Sequence, residues 1–132
     1  MPGIKNLTRL LKEMNPIVAK EEYVFCTLAE NEIDWLKLKP LMIFKEKEGL
    51  TLILEKKVAE ANSLAYSGVW SWITLAVHSD LEAVGFLAKI TNQLAAAGIS
   101  VNVVSAYYHD HLFVPAHLIT KAKQILEELS KS

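Results

Sequence analysis

Apolar residues recur at helical spacing from the start of the chain: Ile4, Leu7, Leu10, Leu11 and Met14, with Lys5, Arg9, Lys12 and Glu13 between them. This spacing predicts an amphipathic helix, stopped by Asn15-Pro16. Residues 22–29 read as a strand, because Tyr23-Val24-Phe25-Cys26-Thr27-Leu28 is rich in β-formers. Residues 31–39 form a short connection, with Trp35 and Leu36 expected to pack inward, and Pro40 ends it. Residues 41–45 and 50–54 are apolar runs on either side of Glu46-Lys47-Glu48-Gly49. A polar loop that ends in glycine signals a hairpin. A short helix over 57–64 follows, then the turn residues Ser67-Gly68.

The second part of the chain repeats this order. Residues 69–77 read as a long strand with Val69, Ser71, Ile73, Leu75 and Val77 on one face. The other face carries Trp70, Trp72, Thr74, Ala76 and His78. Two tryptophans are costly to expose, so both faces are expected to be covered. A helix comes next, with Leu81, Val84, Leu87, Ile90 and Leu94 on its inner side, and Gly98 stops it. Residues 99–108 predict a strand, His109-Asp110 a tight turn, and 111–114 its hairpin partner, closed by Pro115. Leu118, Ala122, Ile125 and Leu129 give the last helix a clean stripe.

Laid on one another, the halves share the order strand, connection, hairpin, helix. The fold class is therefore α+β: two ferredoxin-like βαββαβ-type subdomains in tandem, packed as one compact unit. The halves are 1–66, which includes the leading helix, and 67–132. The fourth strand of each half is not evident; a strand shared between halves or one from a second chain would supply it.

The junction His78-Ser79-Asp80-Leu81-Glu82-Ala83-Val84-Gly85 is the most informative stretch. Ser79 with Glu82 three residues on has the form of a capping box, which would start the helix there. A helix start leaves backbone N–H groups unpaired and carries partial positive charge. Gly85 in the first turns lets another backbone or a small ligand come close. The junction thus has two readings: a helix cap alone, or a seat for the carboxylate of a small molecule.

Composition narrows the function classes. A net charge of −1 over 132 residues removes the electrostatic reason to expect nucleic acid or an anionic membrane. Hydrophobic residues make up 52% of this short chain, which predicts strands buried on both faces or a subunit interface, and hence a homodimer. No apolar run approaches the roughly 20 residues of a membrane span. The charges spread through residues 1–14 do not suit a signal peptide. The single cysteine, Cys26, lies in an apolar strand, where it reads as an inert core thiol of a cytoplasmic protein.

The segments Tyr23-Val24-Phe25, Glu48-Gly49-Leu50-Thr51, Leu81-Glu82-Ala83-Val84-Gly85 and His109-Asp110-His111-Leu112-Phe113-Val114-Pro115 extend over nearly the whole chain. Together with the two small βαββα halves, they resemble tandem ACT domains, small regulatory modules that bind amino acids. The resemblance is closest to an uncharacterised bacterial ACT-like family. It implies a regulatory amino-acid ligand held near the loop joining a first strand to a first helix. In this sequence that loop contains Ser79, Asp80, Leu81, Glu82, Ala83, Val84 and Gly85. A second wall is expected from the other half or from another subunit, with the hairpin of His109, Asp110 and His111 as the candidate segment. The corresponding loop of the first half, Glu30-Asn31-Glu32-Ile33-Asp34, is more acidic and has no capped glycine.

Other chemistry finds little support. His109 and His111 point the same way in an extended segment and could share a metal, but a turn at Asp110 favours hairpin packing or a ligand or subunit contact. No G-x-S-x-G, P-loop or G-x-G-x-x-G motif is present. The expectation is a protein that is not an enzyme, with no catalytic residue, metal or cofactor, acting as an amino-acid-binding regulator or sensor. The alternative is a protein-interaction module that controls a partner enzyme without a ligand of its own.

Overall fold

The computed structural model describes residues 3–80 and 83–131. Its elements in chain order are α1 (Leu7–Glu13), β1 (Pro16–Leu28), β2 (Met42–Lys45), β3 (Leu50–Glu55), α2 (Lys56–Ala61), β4 (Trp70–Leu75), α3 (Phe86–Ala96), β5 (Asn102–Ser105), β6 (Asp110–Pro115) and α4 (Ile119–Lys131). They form two compact units, one of residues 1–20 with 71–132 and one of residues 21–70.

In the unit of residues 21–70 the strand order is β2-β3-β1, with both pairings antiparallel. Val24, Cys26 and Leu28 lie opposite Leu54, Leu52 and Leu50, so alternate residues of the two strands share one face. These six residues, with Leu38 and Ala59, form this unit's core. The connection after β1 contains a single 3-10 turn at Trp35–Leu38. Leu38 is the residue buried there, whereas Leu36 is exposed, so the inward position expected at Leu36 falls two residues later. The tight 3-10 turn places successive side chains differently from an α-helix, which accounts for the shift.

The other unit contains the beginning of β1, with strand order β1-β4-β6-β5. The strand missing from the sequence pattern is therefore the start of β1, which runs for 13 residues. Lys20, Glu21 and Glu22 interrupt the apolar alternation there and conceal it. The amide of Ala76 donates to the carbonyl of Asn15 at 3.1 Å, just before β1 begins. Ser71, Ile73 and Leu75 of β4 are buried. Trp70 and Trp72 on the other face are half-buried; Trp72 stacks on Phe113, with ring centroids 6.4 Å apart.

The leading helix belongs to the unit of residues 1–20 with 71–132. Leu10 and Met14 of α1 belong to the core that includes Ile73, Leu75, Leu112 and Leu126, so α1 packs with the later part of the chain. An apolar stripe predicts that a helix is buried, but not which strands bury it.

Two further boundaries differ. Helix α3 begins at Phe86 rather than beside Ser79. Its end follows the expectation: Ile99 N–H bonds the Leu94 carbonyl at 3.0 Å and Gly98 N–H the Ala95 carbonyl at 2.9 Å, with Gly98 at φ 76°. This is a Schellman motif, which glycine allows without strain. The second hairpin turns over residues 106–109, closed by the Ala106 amide on the His109 carbonyl at 3.0 Å. Asp110 is the first residue of β6, paired with Ser105, so the turn expected at His109-Asp110 lies earlier in the chain.

Candidate functional site

Three segments of the unit containing α3 meet around one cavity of about 120 Å³. Ser79 and Asp80 come from the loop after β4, Ser105 and Asp110 from the β5–β6 hairpin, and residues 85–88 from the start of α3. Ala83 also lines it.

The loop is held by backbone bonds. Ser79 N–H donates to the Val77 carbonyl at 2.9 Å, and Ala83 N–H to the Asp80 carbonyl at 2.9 Å. The chain's beginning is laid against it as a one-residue parallel bridge between Ile4 and Ser79. There Ile4 N–H donates to the His78 carbonyl at 2.7 Å, and Asp80 N–H donates to the Ile4 carbonyl at 2.9 Å. A Cβ on Gly3 would fall 2.6 Å from the Asp80 nitrogen, so only glycine fits this approach. Nothing in the sequence pattern around Gly3 announces that contact.

The capping box is not formed as read. The Ser79 hydroxyl donates to Asp110 Oδ2 at 3.0 Å, and the N-cap of α3 is Gly85. Glu82 and Leu81 lie outside the described residues. Gly85 is needed for its backbone rather than for room. Its φ is 87°, and the nearest atom to an added Cβ is Leu7 Cδ2 at 3.7 Å. With no side chain at the N-cap and no acidic residue in the first turn, the amides opening α3 have no side-chain acceptor from either source.

The remaining candidates divide clearly. Ser79, Asp80, Ala83, Gly85 and Asp110 line the cavity. Val84, expected on the inner side of the helix, is 84% exposed, because it precedes the first turn of α3. His109 and His111 are not part of the lining. His109 Nδ1 donates to the Val77 carbonyl at 3.2 Å. His111 Nδ1 accepts the indole N–H of Trp72 at 2.9 Å, with the Thr74 hydroxyl 3.1 Å away. An indole nitrogen can only donate, so Nδ1 carries no proton and the neutral ring is protonated at Nε2. Burial pushes the pKa of His111 down from its ordinary value; neighbouring His109 pushes the same way and Asp110 opposes both. Among the described residues, no group of three His, Cys, Asp or Glu side chains is placed to hold a metal ion. Phe86, Leu87, Ala88 and Ser105 complete the lining. They fall outside the sequence pattern because α3 starts later, and the hairpin turns earlier, than the spacing predicts.

The arrangement suits a small zwitterion. It offers helix-start amides for an anion and a buried carboxylate for a cation. The corresponding loop of the other unit has only the 3-10 turn at Trp35–Leu38, with no α-helix start.

Two family models, both described as ACT domain, match residues 2–71 and 70–128. A crystal structure of a Vibrio cholerae protein of unknown function, described as a possible transport protein, is 46% identical, with a TM-score of 0.86. The match covers 97% of this chain and 98% of that one. A protein from Agrobacterium tumefaciens is 18% identical over 89% of this chain and 90% of its own, with a TM-score of 0.74. The regulatory subunit of aspartate kinase from Thermus thermophilus shares the fold at 9% identity and a TM-score of 0.63, covering 89% of this chain and 98% of that one. Among functionally curated proteins, none matches the sequence.

Proposed function

Because the chain belongs to the ACT-domain family, we propose that it is a non-catalytic regulatory protein that binds a free amino acid in the cavity at the start of α3. The observation that carries this reading is the meeting of a helix N-terminus and a buried carboxylate, Asp110, around one cavity. The α-carboxylate of the ligand accepts from the amides of Phe86, Leu87 and Ala88, where the helix dipole favours negative charge. Its ammonium donates to Asp110. A buried carboxylate is costly without a counter-charge, and an ammonium ligand supplies one. Asp80, the acceptor expected from sequence, also lines the cavity and serves as a second one. Glu82 lies outside the described residues.

The protein acts as a cytoplasmic homodimer in this reading. Its lone cysteine is buried, and a single thiol has no partner within the chain for a disulfide, which suits a reducing compartment. No acyl-transfer, phosphoryl-transfer or nucleic-acid chemistry is part of the proposal.

A thermal-shift screen with the twenty amino acids tests it. A ligand at about 100 times its Kd adds about 2.7 kcal/mol to native stability, so a binder should raise Tm by several degrees. No rise with any amino acid at millimolar concentration would refute the reading. The interaction module would then be the better account. One observation favours that second reading: Leu36 and Phe44 are 67% and 62% exposed, a large apolar surface for residues 21–70 to present.

A further inference from the structure

His111 stands beside two partners on the neighbouring strand. Trp72 and Thr74 are two positions apart on β4 and so share one face of the sheet, opposite the buried Ser71, Ile73 and Leu75. The Trp72 indole N–H donates to His111 Nδ1 at 2.9 Å, and the Thr74 hydroxyl lies 3.1 Å from the same nitrogen. We propose that His111 is a proton switch: neutral, it accepts from Trp72; protonated, it gives up that bond and donates to Thr74 instead.

The exchange follows from what each group can do. An indole nitrogen only donates, so its bond requires a bare Nδ1. A hydroxyl both donates and accepts, so Thr74 suits either state of the ring. The imidazolium carries a proton on both nitrogens, which turns Nδ1 from acceptor into donor without moving the ring. His109 provides the contrast. Its Nδ1 faces the Val77 carbonyl at 3.2 Å, and a carbonyl only accepts, so that bond is the same for the neutral and the charged ring. The two rings have centroids 6.4 Å apart, yet of the pair only His111 changes partner with charge.

The surroundings decide where the switch operates. β4 carries no titratable side chain over Trp70–Leu75, and neither does β5 over Asn102–Ser105, whose Val104 lies opposite His111. Lys20 of β1, one strand further away, is exposed. Tyr107 and Tyr108 in the turn are neutral phenols in the histidine range, and His78 sets its ring 5.6 Å from that of Tyr108. The charges that act on His111 come from its own hairpin: His109 disfavours the cation and Asp110 favours it, while burial of the ring disfavours it most. The switch therefore works below the ordinary histidine value of 6.5. Its output is Trp72, half-buried, with its ring 5.6 Å from that of His111 and stacked on Phe113. The hydrogen bonding of this aromatic face thus depends on pH, whether or not the cavity takes a ligand.

Nitrogen–proton NMR of the full chain between about pH 7.5 and pH 5 tests the switch, with the Trp72 indole signal identified by its loss in Trp72→Phe. The expected result is movement of that signal with a single midpoint below 6.5, the same midpoint that the His111 ring protons show. His111→Gln keeps an acceptor for Trp72 but takes no proton, and should hold the signal still. Thr74→Val removes the acceptor of the charged ring and should lower the midpoint. His109→Gln removes a group that opposes the cation and should raise it. A Trp72 signal that stays in place while His111 titrates would overturn the proposal, as would an unchanged midpoint in Thr74→Val. Unfolding of the unaltered protein before His111 takes its proton would overturn it too.

Discussion

Ser79 and Asp110 stand 31 positions apart, yet the serine hydroxyl donates to the aspartate Oδ2 at 3.0 Å and both residues are 7% exposed. This bond ties the loop after β4 to the first residue of β6 and so fixes two polar walls of the cavity relative to each other. Hydrogen bonds to a charged partner contribute about 1.5–3 kcal/mol. Asp110→Ala and Ser79→Ala should each destabilise the fold by about 1–3 kcal/mol in urea unfolding. The double variant should cost clearly less than the sum, since each single change breaks the same bond. Strict additivity would mean that the pair does not act as a unit.

Gly3 and Gly85 separate two reasons for a glycine. At Gly3 an added Cβ meets the backbone of residues 78–80 at 2.6–2.7 Å, whereas at Gly85 it meets nothing closer than 3.7 Å. Gly3→Ala should therefore release the chain's beginning from the loop. Hydrogen exchange at the Asp80 amide, which donates to Ile4, should then speed up. Gly85→Ala should leave that amide protected and cost about 1–2 kcal/mol through its left-handed backbone alone. Equal exchange rates at Asp80 in Gly3→Ala and the unaltered protein would contradict the close-approach argument. Gly85→Val, the natural choice for blocking a pocket, would strain the backbone and confuse binding with folding.

Much of this fold was legible because its signals are local. The polar loop 46–49 between apolar runs forms the β2–β3 hairpin, and the stripe Ala122 to Leu129 forms α4. Gly98 ends α3 because only its left-handed conformation completes that motif cheaply. The errors have equally specific causes. Ser79 and Glu82 have capping-box spacing, but the Ser79 hydroxyl is taken by Asp110, a partner that no local pattern reveals. Lys20, Glu21 and Glu22 obscured the first part of β1. Of the candidate site, residues 79–85 were read from the helix-start chemistry. Asp110 is expected from the hairpin of the other half or another subunit, whereas the hairpin that brings it to Ser79 belongs to the same unit of the same chain. Phe86 to Ala88 and Ser105 depended on exact element boundaries, which periodicity locates poorly.

Acid should weaken the unit that contains His111. Its pKa in the fold lies below the ordinary value of 6.5, chiefly through burial, so the unfolded chain binds the proton first. Stability from this group is complete above about pH 6.5 and is lost as pH falls through the lowered folded value. The bond from Trp72 is the structural reason, since a proton on Nδ1 would oppose the indole N–H. Urea midpoints measured between pH 7.5 and pH 5 should fall more for the unaltered protein than for His111→Gln, whose amide oxygen can still accept from Trp72. Identical pH dependence in both would assign the acid sensitivity elsewhere.

The central claim is that an amino acid sits between the start of α3 and Asp110, and an amide-resolved NMR titration with serine tests it most directly. The account predicts saturable shifts at the amides of Phe86, Leu87 and Ala88 and at Ser79 and Asp110, with the resonances of β2 and β3 unmoved. Shifts confined to other residues, or none at millimolar serine, alanine, glycine or threonine, would contradict it.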